Sequence, residues 1–193
     1  MKWYWVVALS LLALLLLLLV VGALLPVTHQ ASCCVRLRQP AAVVFAALTD
    51  VAALPSWRKD LRSVELLEPV DGLPRWREES GFGSMEVQIE ELVPERRMIG
   101  RIAVPGGAFG GTWTWRLDPD GDGTLLTVTE NGEIHSVVFR ALSKFVFGHE
   151  TTLRGYLVQM AAKFGETRPV EPGTPDPAPQ PPEKGARRMG AQR

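Results

Sequence analysis

Hydrophobic and polar positions divide this chain into four stretches. Trp3 to Leu25 is an unbroken apolar run with a leucine-rich middle and no charge. It exceeds the roughly 20 residues needed to cross a bilayer. Next comes a set of short alternating segments of period two, the mark of half-buried strands. Cys34–Arg38, Val64–Leu67, Arg75–Glu79, Ser84–Leu92, Arg97–Val104, Thr112–Leu117 and Thr124–Ile134 all read this way. In the fourth, Met85, Val87 and Ile89 oppose Glu86, Gln88 and Glu90; in the sixth, Trp113, Trp115 and Leu117 oppose Thr112, Thr114 and Arg116. Turn signals such as Asp71-Gly72 separate them.

Helical periodicity marks two short pieces after the first strand, Ala41–Thr49 behind Pro40 and Asp50–Trp57, and one long piece, Val137–Phe164. The long piece puts Val138, Ala141, Leu142, Phe145, Leu153, Tyr156 and Met160 on one face. Ser136 suits its N-cap and Gly165 its C-cap. A continuous helix of that length would span about 40 Å. Gly148, mid-helix, costs about 1 kcal/mol relative to Ala and suggests a kink or local give.

The order strand, two short helices, a run of strands, long helix predicts an α+β domain. A curved antiparallel sheet of about six or seven strands wraps the C-terminal helix, with an apolar pocket between them. Three regions follow: residues 1–30, an anchor and short spacer; 31–166, the globular domain; and 167–193, a proline-rich tail read as disordered.

The anchor is read as an uncleaved, single-pass span in the cell membrane. A signal peptide would have a shorter apolar core and a small-x-small cleavage site, which Pro26–Gln30 does not offer. Trp3, Tyr4 and Trp5 suit one membrane interface. The flanking charges, Lys2 against Arg36 and Arg38, are too few to orient the domain.

Charge narrows the partners. Lys plus Arg and Asp plus Glu are both 21, so the formal charge is zero, which argues against a nucleic-acid partner. Cys33 and Cys34 are adjacent, and neighbours on a strand face opposite ways, so they do not pair with each other. Asp118–Gly123 begins like a calcium loop, but Thr129 stands at the twelfth position and the flanks are strands; a hairpin turn is the better reading, with no metal. Gly106–Gly111 precedes a strand rather than a helix, so it is a rim loop and not a phosphate cradle. Trp57 reads as a packing anchor; Glu65, Arg75, Arg77 and Glu78 read as a solvated charged face.

The candidate chemistry sits on the inward face of the long helix. His149, Thr152 and Tyr156 interrupt its apolar stripe and would put polar handles in the pocket. Glu130 continues the inward alternation of Leu126 and Val128, so Glu130 and His149 are the candidate acid–base pair. A core histidine and a solvated glutamate explain the same two residues, and that weighs against an enzyme. The expected ligand lining is Met85, Val87, Trp113, Trp115, Val128, Phe145, His149, Thr152 and Tyr156.

Several stretches carry a family resemblance: Pro40 with Val44–Asp50, Leu54–Arg58, Ser63–Leu67, Phe109–Trp115, Thr129–Ile134 and Phe145–His149. Together they resemble the START-like or SRPBCC superfamily, the Bet v 1-like helix-grip fold. They are similar above all to bacterial proteins described as polyketide cyclase/dehydrase-like. The resemblance implies a cavity for lipids, sterols, polyketides or other apolar molecules and supplies no shared catalytic motif. Two functions follow. One is a membrane-tethered module binding an apolar small molecule or lipid, without cofactor. The other is a cyclase/aromatase-type enzyme on a polyketide-like substrate, using Glu130 and His149.

Overall fold

The computed structural model describes residues 3–177 except Phe82, Pro105 and His149. Alternation sets most of it. The seven period-two segments become β1 (Thr28–Leu37), β2 (Leu61–Val70), β3 (Leu73–Ser80), β4 (Gly83–Val93), β5 (Arg97–Ala103), β6 (Phe109–Asp120) and β7 (Gly123–Ile134). Consecutive strands from β2 to β7 pair antiparallel, and β1 closes on β7. The turns carry the residues such hairpins need. Asp71 and Gly72 both take positive φ between β2 and β3, and Gly121 (φ 60°) does so between β6 and β7. The calcium-loop-like stretch is therefore the β6–β7 hairpin. Its Asp118 and Asp120 bind Arg116 and Arg36.

Between β1 and β2 lie α2 (Ala41–Thr49), a 3₁₀ turn (Val51–Ala53) and α3 (Leu54–Trp57). Asp50 caps the turn, its carboxylate accepting from Ala53 N at 3.3 Å. At the N-terminus, α1 (Trp3–Leu24) has the length and composition of a membrane span, and almost every side chain in it is exposed.

The expected single helix over Val137–Phe164 is corrected. It is two helices, α4 (Val137–Leu142) and α5 (Thr151–Lys163), joined by a π-helical turn at Ser143–Phe147. Ser136 does cap α4, accepting from Phe139 N, and Gly165 (φ 70°) ends α5. The break is at Gly148, where φ is 73° and ψ 149°, a region almost confined to glycine. The π turn and the break shift the helical phase. The seven positions expected on one face therefore divide: Leu153, Tyr156 and Met160 of α5 are buried against the sheet, whereas Val138 and Phe145 are exposed.

The hydrophobic core fills the space between the concave sheet face and α2, α3 and α5. Val35, Leu37, Ile89, Leu126 and Val128 come from the sheet, Val44 and Leu48 from α2, and Leu153, Leu157 and Met160 from α5. Burying each such side chain stabilises the fold by about 1.5–3 kcal/mol.

Of the tail expected to be disordered, 178–193 lies outside the described residues, whereas 167–177 is paired. Glu171–Pro172 forms β8, antiparallel to Cys33 and Cys34. Gly173 N donates to Ser32 O, Val170 packs on the core, and Asp176 binds Arg116 at 2.8 Å. Residues 167–177 are thus laid along β1. Apolar content is low there, so the ordering comes from backbone and charge pairing that composition does not reveal.

Candidate functional site

Two places on the concave side concentrate polar groups. The first lies beneath α5. Alternation on β3 points Trp76 and Glu78 inward and Arg75 and Arg77 outward. Glu78 is 2% exposed, so its placement on a solvated face is corrected. Nη1 of Arg58, on the link from α3, reaches both Glu78 oxygens at 3.0 and 2.9 Å, and Trp76 Nε1 donates to Glu78 at 3.0 Å. Asp60 takes the other Arg58 nitrogen at 2.6 Å. Burial opposes the charge on Arg58, but Glu78 and Asp60 outweigh it and hold its pKa above its ordinary value. The Arg58 guanidinium also lies 5.5 Å from the centre of the Tyr156 ring.

Tyr156 is enclosed by aromatics. Trp57 and Trp113 each stand 5.7 Å from it edge-on, and Trp115 stands 6.4 Å away. Burial pushes its phenol well above the ordinary tyrosine range, against the pull of Arg58. Nε1 of Trp57 and Nε of Arg58 are buried with no hydrogen-bond partner among the described residues. Gln159 of α5 ties this cluster to the α3–β2 link through Lys59 N and Asp60.

The second place is at the helix break. A cleft of about 490 Å³ opens there, lined by Gln30 and Ala31 of β1 with Gly148, Glu150, Thr151 and Arg154. Ala31 belongs to the core. Arg154 donates twice to Glu150 and once to Val170 O, and Glu150 holds its pKa above the ordinary value. Beside them, burial and then Glu150 push the Cys33 thiol up, which keeps it a neutral core group. Cys33 faces the core, and Cys34 faces β8.

The residues expected from sequence distribute unevenly. Val87, Trp113, Trp115, Val128 and Tyr156 are brought together on the concave face, close-packed rather than lining open space. Met85 stands opposite Glu78 in the β3–β4 pair and is half-buried. Phe145, 68% exposed, points away from the core as a consequence of the phase shift at the break, and Thr152, in the first turn of α5, is exposed too. His149 lies outside the described residues. Glu130 does face inward, beside Ala31 and opposite Trp113. Its carboxylate is 3.5 Å from Nε2 of His29, on β1, a histidine that strand periodicity alone did not single out. Among the described residues, no group of three or more His, Cys, Asp or Glu could hold a metal ion.

Cleft residues Gln30, Glu150 and Arg154 went unnoticed in the sequence. The one signal for them was Gly148, in the middle of a helical pattern. Arg58 and Glu78 were hidden differently: they are distant in sequence and meet only when the sheet curls.

The comparisons agree with this architecture. In structure, the chain is similar to the ZhuI aromatase/cyclase from Streptomyces sp. R1128, with 17% identity and a TM-score of 0.59, covering 72% of this chain and 92% of that one. A conserved protein from Geobacillus kaustophilus gives 15% identity and 0.61, over 74% and 99%. A START superfamily protein from Mycobacterium smegmatis gives 19% and 0.51, over 72% and 94%. At these identities the likeness is one of fold. No curated protein matches in sequence. The family model described as polyketide cyclase/dehydrase and lipid transport matches residues 30–165, from the third residue of β1 to the glycine that ends α5. The chain belongs to the polyketide cyclase/dehydrase and lipid transport family.

Proposed function

We propose that this chain is a membrane-tethered binding module for an apolar small molecule or lipid, held on the concave side of the sheet. The observation that carries the reading is the break at Gly148. The helical cover of an apolar, aromatic-rich face is interrupted there, and a cleft with a polar rim opens at the same point. The cleft lining is polar apart from Ala31 and Gly148, and the apolar side chains behind it are close-packed. A ligand would therefore enter by parting the helical cover from the sheet at the break, an apolar interior behind a few polar groups being the usual design of a small-molecule site. α1 supplies the tether: it is long and apolar enough to span a bilayer, and β1 starts a few residues after it ends. The domain then sits on a single-pass anchor in the cell membrane.

The test is native mass spectrometry and solvent extraction of the full chain purified in nanodiscs. A stoichiometric apolar species bound to wild type and lost in Thr151→Trp, which fills the cleft mouth, supports the reading. Equal retention by both, or nothing above the empty-nanodisc background, rejects it.

A second reading is favoured by the 3.5 Å approach of His29 to Glu130. In it the protein is a cyclase/aromatase-type enzyme in which Glu130 does acid–base work on a polyketide-like substrate. Turnover of such a substrate abolished by Glu130→Gln, with the fold intact, would select it.

A further inference from the structure

The end of α1 and the start of α4 touch. Gly22 is buried, and a side chain there would collide with the Val137 carbonyl. Nη1 of Arg140 donates to Leu25 O at 2.7 Å, joining the same two elements. At 1.5 Å per residue the 22-residue α1 is about 33 Å long, against a hydrocarbon thickness of about 30 Å. Gly22 is two residues from its end, so it falls where hydrocarbon gives way to headgroups. A backbone packed on Gly22 is at that depth as well.

The surface of this segment fits such a position. Val138 is 36% exposed, Phe139 42% and Phe145 68%, and Lys144 between them is exposed too. Phe109 stacks on Phe139 with ring centres 6.2 Å apart, extending the apolar surface to the start of β6. Exposed apolar residues scattered singly need no explanation. Three within one short helical segment, interleaved with basic residues and touching a membrane-length helix, have the composition of an interfacial element.

We propose that α4 and the π turn form a lip that rests in the surface of the bilayer crossed by α1. Val138, Phe139 and Phe145 enter the acyl boundary, and Lys144 meets the headgroup phosphates. The occupant of this face is therefore lipid. The lip leads directly to Gly148, so the cleft opens beside the membrane. The inference rests on α1 being an anchor, and it does not depend on what the cleft holds.

Nitroxide labels on the full chain in phosphatidylcholine–phosphatidylglycerol nanodiscs test it. Three single sites are compared: Leu14→Cys in α1, Phe145→Cys in the lip, and Leu66→Cys on β2 at the far edge of the sheet, where Leu66 is 65% exposed. The parent chain, with Cys33 and Cys34 buried, gives the background. The expected result is oxygen-accessible labels at Leu14 and Phe145. Collisions with an aqueous nickel chelate should be roughly tenfold lower there than at Leu66. A Phe145 label that meets the chelate as Leu66 does, while Leu14 stays in lipid, overturns the lip and leaves the anchor standing. A Leu14 label exposed to the chelate overturns the anchor and the lip together.

Discussion

Arg58 and Glu78 form a buried ion pair under α5, one guanidinium nitrogen within 3.0 Å of both carboxylate oxygens. Its side chains are 11% and 3% exposed, so removing Arg58 strands the Glu78 carboxylate in the core, and removing Glu78 leaves the guanidinium with Asp60 alone. Such a loss costs about 3–5 kcal/mol, whereas replacing both charges by apolar side chains of similar volume is often neutral. Glu78→Ala and Arg58→Ala are each expected to unfold at markedly lower denaturant than wild type. Arg58→Met with Glu78→Leu should recover most of the difference. Denaturation of the full chain in micelles, followed by tryptophan fluorescence, measures this. Additive losses in the double variant would refute the pairing.

Tyr156 gives a signature in pH. Burial holds its phenol above the unfolded value of 10.0. The folded state therefore favours the neutral form. That contribution is complete below about pH 10 and is lost as pH rises through the folded value. Wild type should lose stability above pH 10 more steeply than Tyr156→Phe. Thermal unfolding of both from pH 8 to 11 checks it, and parallel curves would count against the assignment.

Gly148 holds a backbone conformation that L side chains rarely adopt. Gly148→Ala is expected to cost about 1–3 kcal/mol, since a methyl must strain the break or remake it. An unchanged or raised melting temperature would mean that α4 and α5 join into one helix without loss.

Gly22 permits the contact between α1 and α4, because a side chain there has no room against Val137. Gly22→Leu should push α4 away while leaving the sheet intact. Amide exchange at Phe139–Leu142 is expected to quicken about tenfold or more, with β6 and β7 unaffected. Unaltered exchange in α4 would show that the two helices are not coupled.

How far the sequence reaches differs by element. Strands with one face buried and the other wet were legible, because alternation records that directly; Val87 and Ile89 against Gln88 and Glu90 on β4 are the clearest case, whereas on β6 Thr112 and Thr114 are buried along with Trp113 and Trp115. Ser136 and Gly165 were legible as helix ends because capping is local chemistry. Phe145 escapes periodicity because that pattern assumes one unbroken helix, whereas Phe145 sits within the π turn, and the turn with the break at Gly148 puts it out of phase with α5. Glu78 was misread because a charge at an inward position counts as outward until its partner is known, and Arg58 lies on another element. The candidate site was the least legible part. The cleft is made by a break in a helix meeting the first strand, a juxtaposition that no spacing in the chain encodes.

The sheet has eight strands among the described residues, and β8 is its last. Around those two paired residues the chain reads Pro169, Pro172, Pro175 and Pro177. Proline has no N–H to donate, so this segment covers the outer side of β1 and offers little to a further strand. The opposite edge, β2, is interrupted by irregular register at Leu61/Ser63 and Leu67/Val70 and carries Pro69. Both margins are thereby blunted against edge-to-edge stacking between copies. If α1 anchors the chain as proposed above, copies held in one plane would meet often, and the prolines of this segment would guard its edge against polymerisation.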